Sequence, residues 1–522
     1  MDRLAQEGIR YERCYTTIPI TLPAHASMMT GLYPFEHGVR DNGRFRLSFK
    51  AVTLAEVLKG QGYRTGAVIG AFVLDRRFGL AQGFDHYDDE MPSQKAGGRF
   101  SYSERTAEAI TDRAVQSIGA FQGAPFFLWA HYFDPHAAYN SHSDDPELRH
   151  LAPYDAEIGF ADRHIGRLLD HVDRVSGDRG ALVILTADHG EGLGEHGELS
   201  HGHLVYDSTL HVPLLVRFPD RAHAGTSISQ PVSVIDLFPS LVAWLDIPVE
   251  QVVTGRPLPT STGGDDGGEE APFQPIYFEN YSVGWNFGCR GLRGVVLGAN
   301  KWIDANDPER FDLSRDPHET VNHYSPEDEI SRELEDICNT LVEEAPDLTD
   351  RFLESQHEMS GPDAARLGSL GYVTDRTSGQ SDLPTTGPDP RQIIEDIETI
   401  LEAHELINRQ AHLEAAEKLM ALLQTVDYLN PRILVLLAAM AGEDATRELV
   451  VPALLPYLDR ELSSELKFVV AVHLGEALAR MEQFAEAIRV YRIAAEIHPK
   501  NGKVLKGLRS LESRPPPASE IE

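Results

Sequence analysis

The sequence predicts an α/β fold for residues 1–355 and an all-α helical repeat domain for residues 393–515. Three observations carry this. Short continuous apolar runs at 125–130, 181–185 and 212–218 have the character of buried strands, and segments of helical spacing such as 154–172 alternate with them. The first two runs break off at polar clusters, His131 to His136 and Asp188-His189-Gly190-Glu191, and open α/β sheets bind ligands just beyond the carboxyl ends of their strands. Beyond residue 392 the strand-like runs cease and only helical periodicity remains.

Composition narrows the class. At 522 residues the chain can bury more than one core, and 42% hydrophobic with 25% charged residues is the balance of a globular protein. A formal charge of −34 argues against nucleic acid or an anionic membrane as partner, but not against an anionic substrate, because the local field at a site decides that. Cys14, Cys289 and Cys338 are widely spaced, forming neither a disulfide framework nor a zinc-thiolate motif, so the compartment stays open. No apolar run is long enough to span a bilayer, and the chain shows no signal peptide.

The elements follow in order. Residues 1–11 read as a helix ending at Gly8, with Leu4 as a core contact. In the next helix Thr21 suits the N-cap, Pro23 the first turn and Gly31 the stop. A hydroxyl there faces free N–H groups and a positive dipole end, which favours an anion. Thr53 and Glu56 have capping-box spacing and open a helix that stops at Gly60 or Gly62. A strand over 63–72, a loop from Gly83, a helix over 103–121 and the strand 125–130 come next. The helix 154–172 leads to the apolar run 181–185 and its loop, where glycines space Glu191, Glu195, His196, Glu198, His201 and His203. Such mixed oxygen and imidazole donors suit hard or borderline metal ions. Residues 234–245 form an amphipathic helix, 260–270 a low-complexity loop, 276–280 a strand, and 292–304 a hairpin turning at Gly298-Ala299-Asn300. Residues 356–392 are a linker with an apolar patch at 367–373.

Asp188-His189-Gly190-Glu191 after a strand, then His201-Gly202 and the Val212-Pro213-Leu214 strand, resembles the alkaline phosphatase/sulfatase superfamily. Residues 234–245 and 311–322 match further elements of that family in order, so the resemblance spans about 1–355, with a C-terminal subdomain over 276–355. It implies an α/β sandwich around a mixed, mostly parallel sheet. It also implies a divalent metal ion, with Zn, Mn, Ca and Mg undistinguished, held by Asp188, His189 and the Thr21 oxygen. Thr21 stands where sulfatases carry the Cys or Ser that becomes formylglycine. Threonine oxidation gives a ketone instead, whereas threonine is the metal-bound nucleophile in phosphoesterase branches of the superfamily. His25 replaces the arginine flanking that nucleophile, and Gly70-Ala71-Phe72-Val73 lacks the Lys and His that touch sulfate. His136, in Asp134-Pro135-His136, carries over as a substrate contact, while His131 reads as a buried, hydrogen-bonded histidine. His201 and His203 lie where related enzymes keep a Lys or His facing the substrate. The family's first strand, with its metal carboxylate, normally precedes the helix that Met1 enters, so the N-terminus is expected to be truncated.

In the last third, Leu474, Gly475, Ala487, Tyr491, Ala494 and Pro499 resemble the tetratricopeptide signature, with Leu478 and Ala471 as departures. A weaker copy runs over 402–431 around Ala415 and Ala416. Such repeats imply a protein partner. The expected function is metal-dependent hydrolysis of an anionic ester, a phosphomonoester or phosphodiester above a sulfate ester, with Thr21 as nucleophile and His25, His136, His201 and His203 as charge-neutralising or proton-donating groups. The competing expectation is a degenerate catalytic domain kept as a scaffold for the repeats. An upstream metal carboxylate would separate the two.

Overall fold

The computed structural model describes residues 1–91, 104–137, 139–261, 273–345 and 383–513. Most of the low-complexity loop 260–270, the bulk of the linker with its 367–373 patch, and the end of the 276–355 subdomain lie outside the described residues. The chain divides into two compact units. The first runs from Met1 to Ser282 and resumes at Gly291, and the second joins Val283–Arg290 to the C-terminal helices.

Among the described residues, three sheets build the first unit. The largest contains β1 (Ile9–Tyr15), β5 (Val183–Thr186), β6 (His211–Arg217), β7 (Thr226–Ile228) and β8 (Val232–Ser233), in the order β5-β6-β1-β7 with β8 also on β1. The sheet is mixed. β6 runs antiparallel to both β5 and β1, whereas β7 and β8 run parallel to β1. A second sheet is wholly parallel, with β2 (Arg64–Val68) between β3 (His86–Asp88) and β4 (Phe126–Ala130). The third is an antiparallel meander of β9 (Ile276–Asn280), β10 (Leu292–Leu297), β11 (Asn300–Asp304) and β12 (Glu309–Asp312), against which the helix Glu329–Glu343 packs.

Each expected element can be located, and several change. The N-terminal helix covers only Asp2–Gln6, and residues 9–11 belong to β1. Gly8 makes the junction because a Cβ there would lie 2.2 Å from the Val216 carbonyl oxygen, so only glycine lets the chain pass so close to β6. The expected strand 63–72 ends at Val68 and gives way to short 3₁₀ turns. Thr106 caps the helix Ala107–Ala120, and Thr53 and Glu56 close their capping box as expected. The hairpin turns where Gly298 stands, with φ +58°. The run 181–185 is not a buried parallel strand. Among the described residues β5 pairs only with β6, antiparallel, and its side chains are half-buried, as are those of β4 at the edge of its own sheet. An edge strand lacks a neighbour on one side and so loses cover that a central strand has. The core sits instead around β1 and β6, where Ile9, Tyr11, Val212, Leu214 and Val216 pack with Val234 and Leu237.

In the second unit Ile394–Asn408 packs on His412–Thr425, Pro431–Met440 on Arg447–Leu454, and Ser464–Arg480 on Phe484–Ile497, followed by Gly502–Glu512. Small residues allow the close approach. Ala415, Ala416, Ala487 and Ala494 are fully buried, and Gly475 abuts the Tyr491 ring.

Candidate active site

The site forms where the helix Thr21–Thr30 meets the loops that leave β4 and β5. Every residue of that helix is buried, so its start is held rigidly. Thr21 is not the N-cap. Ile20 takes the extended cap conformation, Thr21 is already helical, and no side chain caps the helix at that position. Asn42 Oδ1 instead accepts the Leu22 N–H at 2.8 Å, which leaves the Thr21 hydroxyl free of capping. That hydroxyl lies 3.4 Å from His189 Nε2, and His189 Nε2 lies 3.5 Å from Asp188 Oδ2. The three expected metal donors are therefore neighbours. Gly31, with φ +70°, ends the helix as expected.

The hydrogen bonds assign the imidazole tautomers. His189 Nδ1–H donates to the Gly190 carbonyl at 2.9 Å, His25 Nδ1–H to the Thr21 carbonyl at 2.8 Å, and His136 Nδ1–H to the Ala137 carbonyl at 2.6 Å. Each of these rings keeps its Nε2 lone pair. His131 is reversed. Its Nδ1 accepts the Gly70 N–H at 3.2 Å, so a neutral ring carries its proton on Nε2. Gly70 makes this approach because a Cβ would meet the His131 carbonyl oxygen at 2.8 Å.

His25, His131 and Asp188 bring one donor atom each within 4.8 Å of one another, and His25 Nδ1 lies 3.6 Å from Asp188 Oδ2. One carboxylate, a hydroxyl and imidazoles with available lone pairs fit a divalent ion of borderline character. His189 fits as a ligand, whereas His131 in its assigned tautomer is a hydrogen-bond donor. His131 is thus the buried, hydrogen-bonded histidine expected, yet its place beside Asp188 was not legible.

Burial and charge oppose each other here. Burial alone would raise the Asp188 carboxyl, but His189, His25 and His131 hold it far below the usual range. Burial, reinforced by His25, pushes His131 down to about 3, and burial with His201 pushes His136 down to about 4. Burial also lowers His189, against the pull of Asp188. His201 goes the other way: burial is outweighed by the hydrogen bond and charge of Glu191, and its proton affinity rises.

The two loop histidines part company. The His201 ring stacks on His189 at 4.1 Å and meets His136 edge-on at 5.1 Å, so it belongs to the cluster. His203 is bound into the loop, where Glu198 Oε1 accepts both its backbone N–H at 2.9 Å and its Nδ1–H at 3.2 Å. Glu157 accepts the His136 and Asn140 backbone N–H groups and so braces the β4 loop. Sequence reasoning passed over Glu157, and it placed Glu191 among the loop's oxygen donors without pairing it to His201, because no short spacing marks either partner.

Residues 1–247 match the Sulfatase family, and residues 194–345 match the family described as N-sulphoglucosamine sulphohydrolase, C-terminal. The chain is 24% identical to an ulvan-active sulfatase of Formosa agariphila over 442 residues, covering 74% of this chain and 84% of that protein. It is 25% identical to the steryl-sulfatase of Mus musculus over 460 residues, covering 61% and 73%. Among solved structures, the phosphonate monoester hydrolase of Agrobacterium radiobacter superposes with a TM-score of 0.53 at 20% identity, over 67% of this chain and 91% of that one, a likeness of fold. The chain thus carries a sulfatase-family domain of the alkaline phosphatase-like superfamily, whose members hydrolyse ester bonds.

Proposed function

We propose that this chain hydrolyses phosphate esters with Thr21 as the nucleophile. The observation that carries this reading is the Thr21 hydroxyl 3.4 Å from His189 Nε2, at the buried start of a helix. Asp188, His189 and Thr21 would hold the divalent ion, which supplies positive charge that lowers the hydroxyl pKa. Thr21 Oγ, its proton released to solvent, forms a bond to phosphorus as the bond to the leaving alcohol breaks. His25 and His136 stand beside this position, where each would take up a proton at Nε2 as the anionic group arrives and so neutralise it, and His201 gives a proton to the leaving oxygen. Water then attacks phosphorus, the bond to Oγ breaks, and inorganic phosphate leaves. His203 holds the loop through Glu198. The helical hairpins after residue 393 resemble tetratricopeptide repeats, and we assign them the binding of a protein partner.

Sulfate-ester hydrolysis is the second reading, and the sulfatase names of the relatives favour it. Threonine at the nucleophile position favours phosphate, since a formylglycine aldehyde cannot be made from it. Side-by-side turnover of aryl phosphate, phosphodiester and aryl sulfate tests the choice. Faster phosphate hydrolysis is expected; a preference for sulfate overturns the phosphate reading, and metal-loaded protein inactive on all three supports the scaffold.

A further inference from the structure

We infer that Glu191 is a positioning residue that locks His201 as the proton donor to the leaving oxygen, the two forming a carboxylate–imidazole dyad beside the metal-binding pair. The inference deepens the proposed function and rests on it. Glu191 Oε1 lies 3.0 Å from His201 Nδ1, and both side chains are almost wholly buried, at 5% and 9% exposed. With Nδ1–H given to the carboxylate, the ring cannot rotate without breaking a buried charged hydrogen bond, and its exchangeable proton sits at Nε2.

The backbone builds this contact. Gly192 N–H donates to the Ser200 carbonyl at 2.6 Å, and Gly194 N–H to the Glu198 carbonyl at 2.9 Å, closing the loop like a hairpin. Glu191 and His201 are the residues just outside that closure, so they face each other across it. The glycines are required. A Cβ on Gly192 would meet the Glu198 and Ser200 carbonyl oxygens at 2.7 and 2.8 Å, and Gly194 has φ +119°. Beside the dyad, burial and the Glu191 charge hold the Tyr139 hydroxyl protonated.

A carboxylate can also orient an imidazole that binds metal. The metal content of the variants below separates the two roles, since a displaced metal ligand lowers it and a displaced proton donor does not. Glu198 has a different task, accepting two backbone N–H groups and the His203 ring to hold the loop's far side.

The test compares the full chain with Glu191→Ala and Glu191→Gln on an alkyl phosphate, a poor leaving group, and 4-nitrophenyl phosphate, a good one. It adds metal content and histidine nitrogen NMR for each protein. The dyad predicts a kcat loss on the alkyl ester about tenfold or more greater than on the nitrophenyl ester, with Glu191→Gln intermediate because it still accepts from Nδ1–H. Metal stoichiometry stays at the wild-type value, and a protonated Nδ1 signal of His201 disappears only in Glu191→Ala. Equal losses on both esters, or metal content falling with activity, overturn the inference. Wild-type protein inactive on both esters overturns the functional reading on which it rests, while the NMR signature still decides whether the dyad exists.

Discussion

The Thr21 hydroxyl and His189 Nε2 stand 3.4 Å apart although 168 residues separate them in the chain. A helix start and a strand end have been brought together so that an alcohol, an imidazole and the neighbouring Asp188 carboxylate share one buried space. A hydrogen bond from Nδ1–H to the Gly190 carbonyl leaves the His189 Nε2 atom as an acceptor in that space.

Asp188→Asn should abolish stoichiometric binding of a divalent ion. Asp188 is the negative charge among the His25, His131 and His189 rings, and an amide cannot replace that charge. Metal analysis after dialysis against a weak chelator, with Mn, Zn, Ca and Mg supplied in turn, reads the result. Metal content unchanged in the variant would remove Asp188 from the site.

His37 should make the first unit acid-sensitive. Burial, with Arg40 adding to it, lowers this histidine from 6.5 to about 3. Its Nδ1 accepts the Val39 N–H at 3.1 Å and its Nε2–H donates to Ser27 Oγ at 3.0 Å, an arrangement for a neutral ring. The folded state therefore binds fewer protons than the unfolded one below pH 6.5. The stabilisation is fully present above 6.5 and is lost progressively as pH falls toward 3. His37→Asn should have a lower urea midpoint at neutral pH and a flatter decline between pH 6.5 and 4 than wild type; parallel declines would show that His37 does not drive the loss.

Gly475→Ala should destabilise the helical unit although alanine is the better helix former. The added Cβ would stand 3.0 Å from three Tyr491 ring atoms. The other end of the ring lies close to Gly507 on the next helix, where an added Cβ would stand 2.9 Å from Cζ, so there is little room for it to retreat. Overpacking of this kind costs about 1–3 kcal/mol, against a propensity gain of about 1 kcal/mol. Calorimetry of the full chain should show the helical transition moved down, and an upward shift would contradict the packing.

What was legible in the sequence was local. The capping box at Thr53, the stop at Gly31, and the strands at 183–186 and 211–217 follow from patterns of a few residues. The pairing of those strands does not, because an apolar run looks the same whether its neighbour is parallel or antiparallel. β1 alternates from Ile9 to Glu12, with Ile9 and Tyr11 inward and Arg10 and Glu12 outward, before its register shifts ahead of Cys14, but the helical residues before it drew residues 9–11 into the wrong element. Thr21 was misread as a cap because the cap conformation belongs to Ile20 and the cap's work is done by Asn42, a residue twenty positions on. The partners of His201 and His131 were invisible for the same reason. Glu191 and Gly70 reach them through loop closure and sheet order, which no short spacing encodes.

The most direct measurement is turnover of a phosphate ester by the metal-loaded full chain and by Thr21→Ala, each checked for fold by its unfolding midpoint. Thr21 contributes no cap, so the variant should keep nearly the wild-type midpoint. The account predicts that kcat falls by about 10⁴-fold or more, because a covalent nucleophile and not a helix cap has been lost. A well-folded Thr21→Ala protein that turns over the ester at close to the wild-type rate would contradict it.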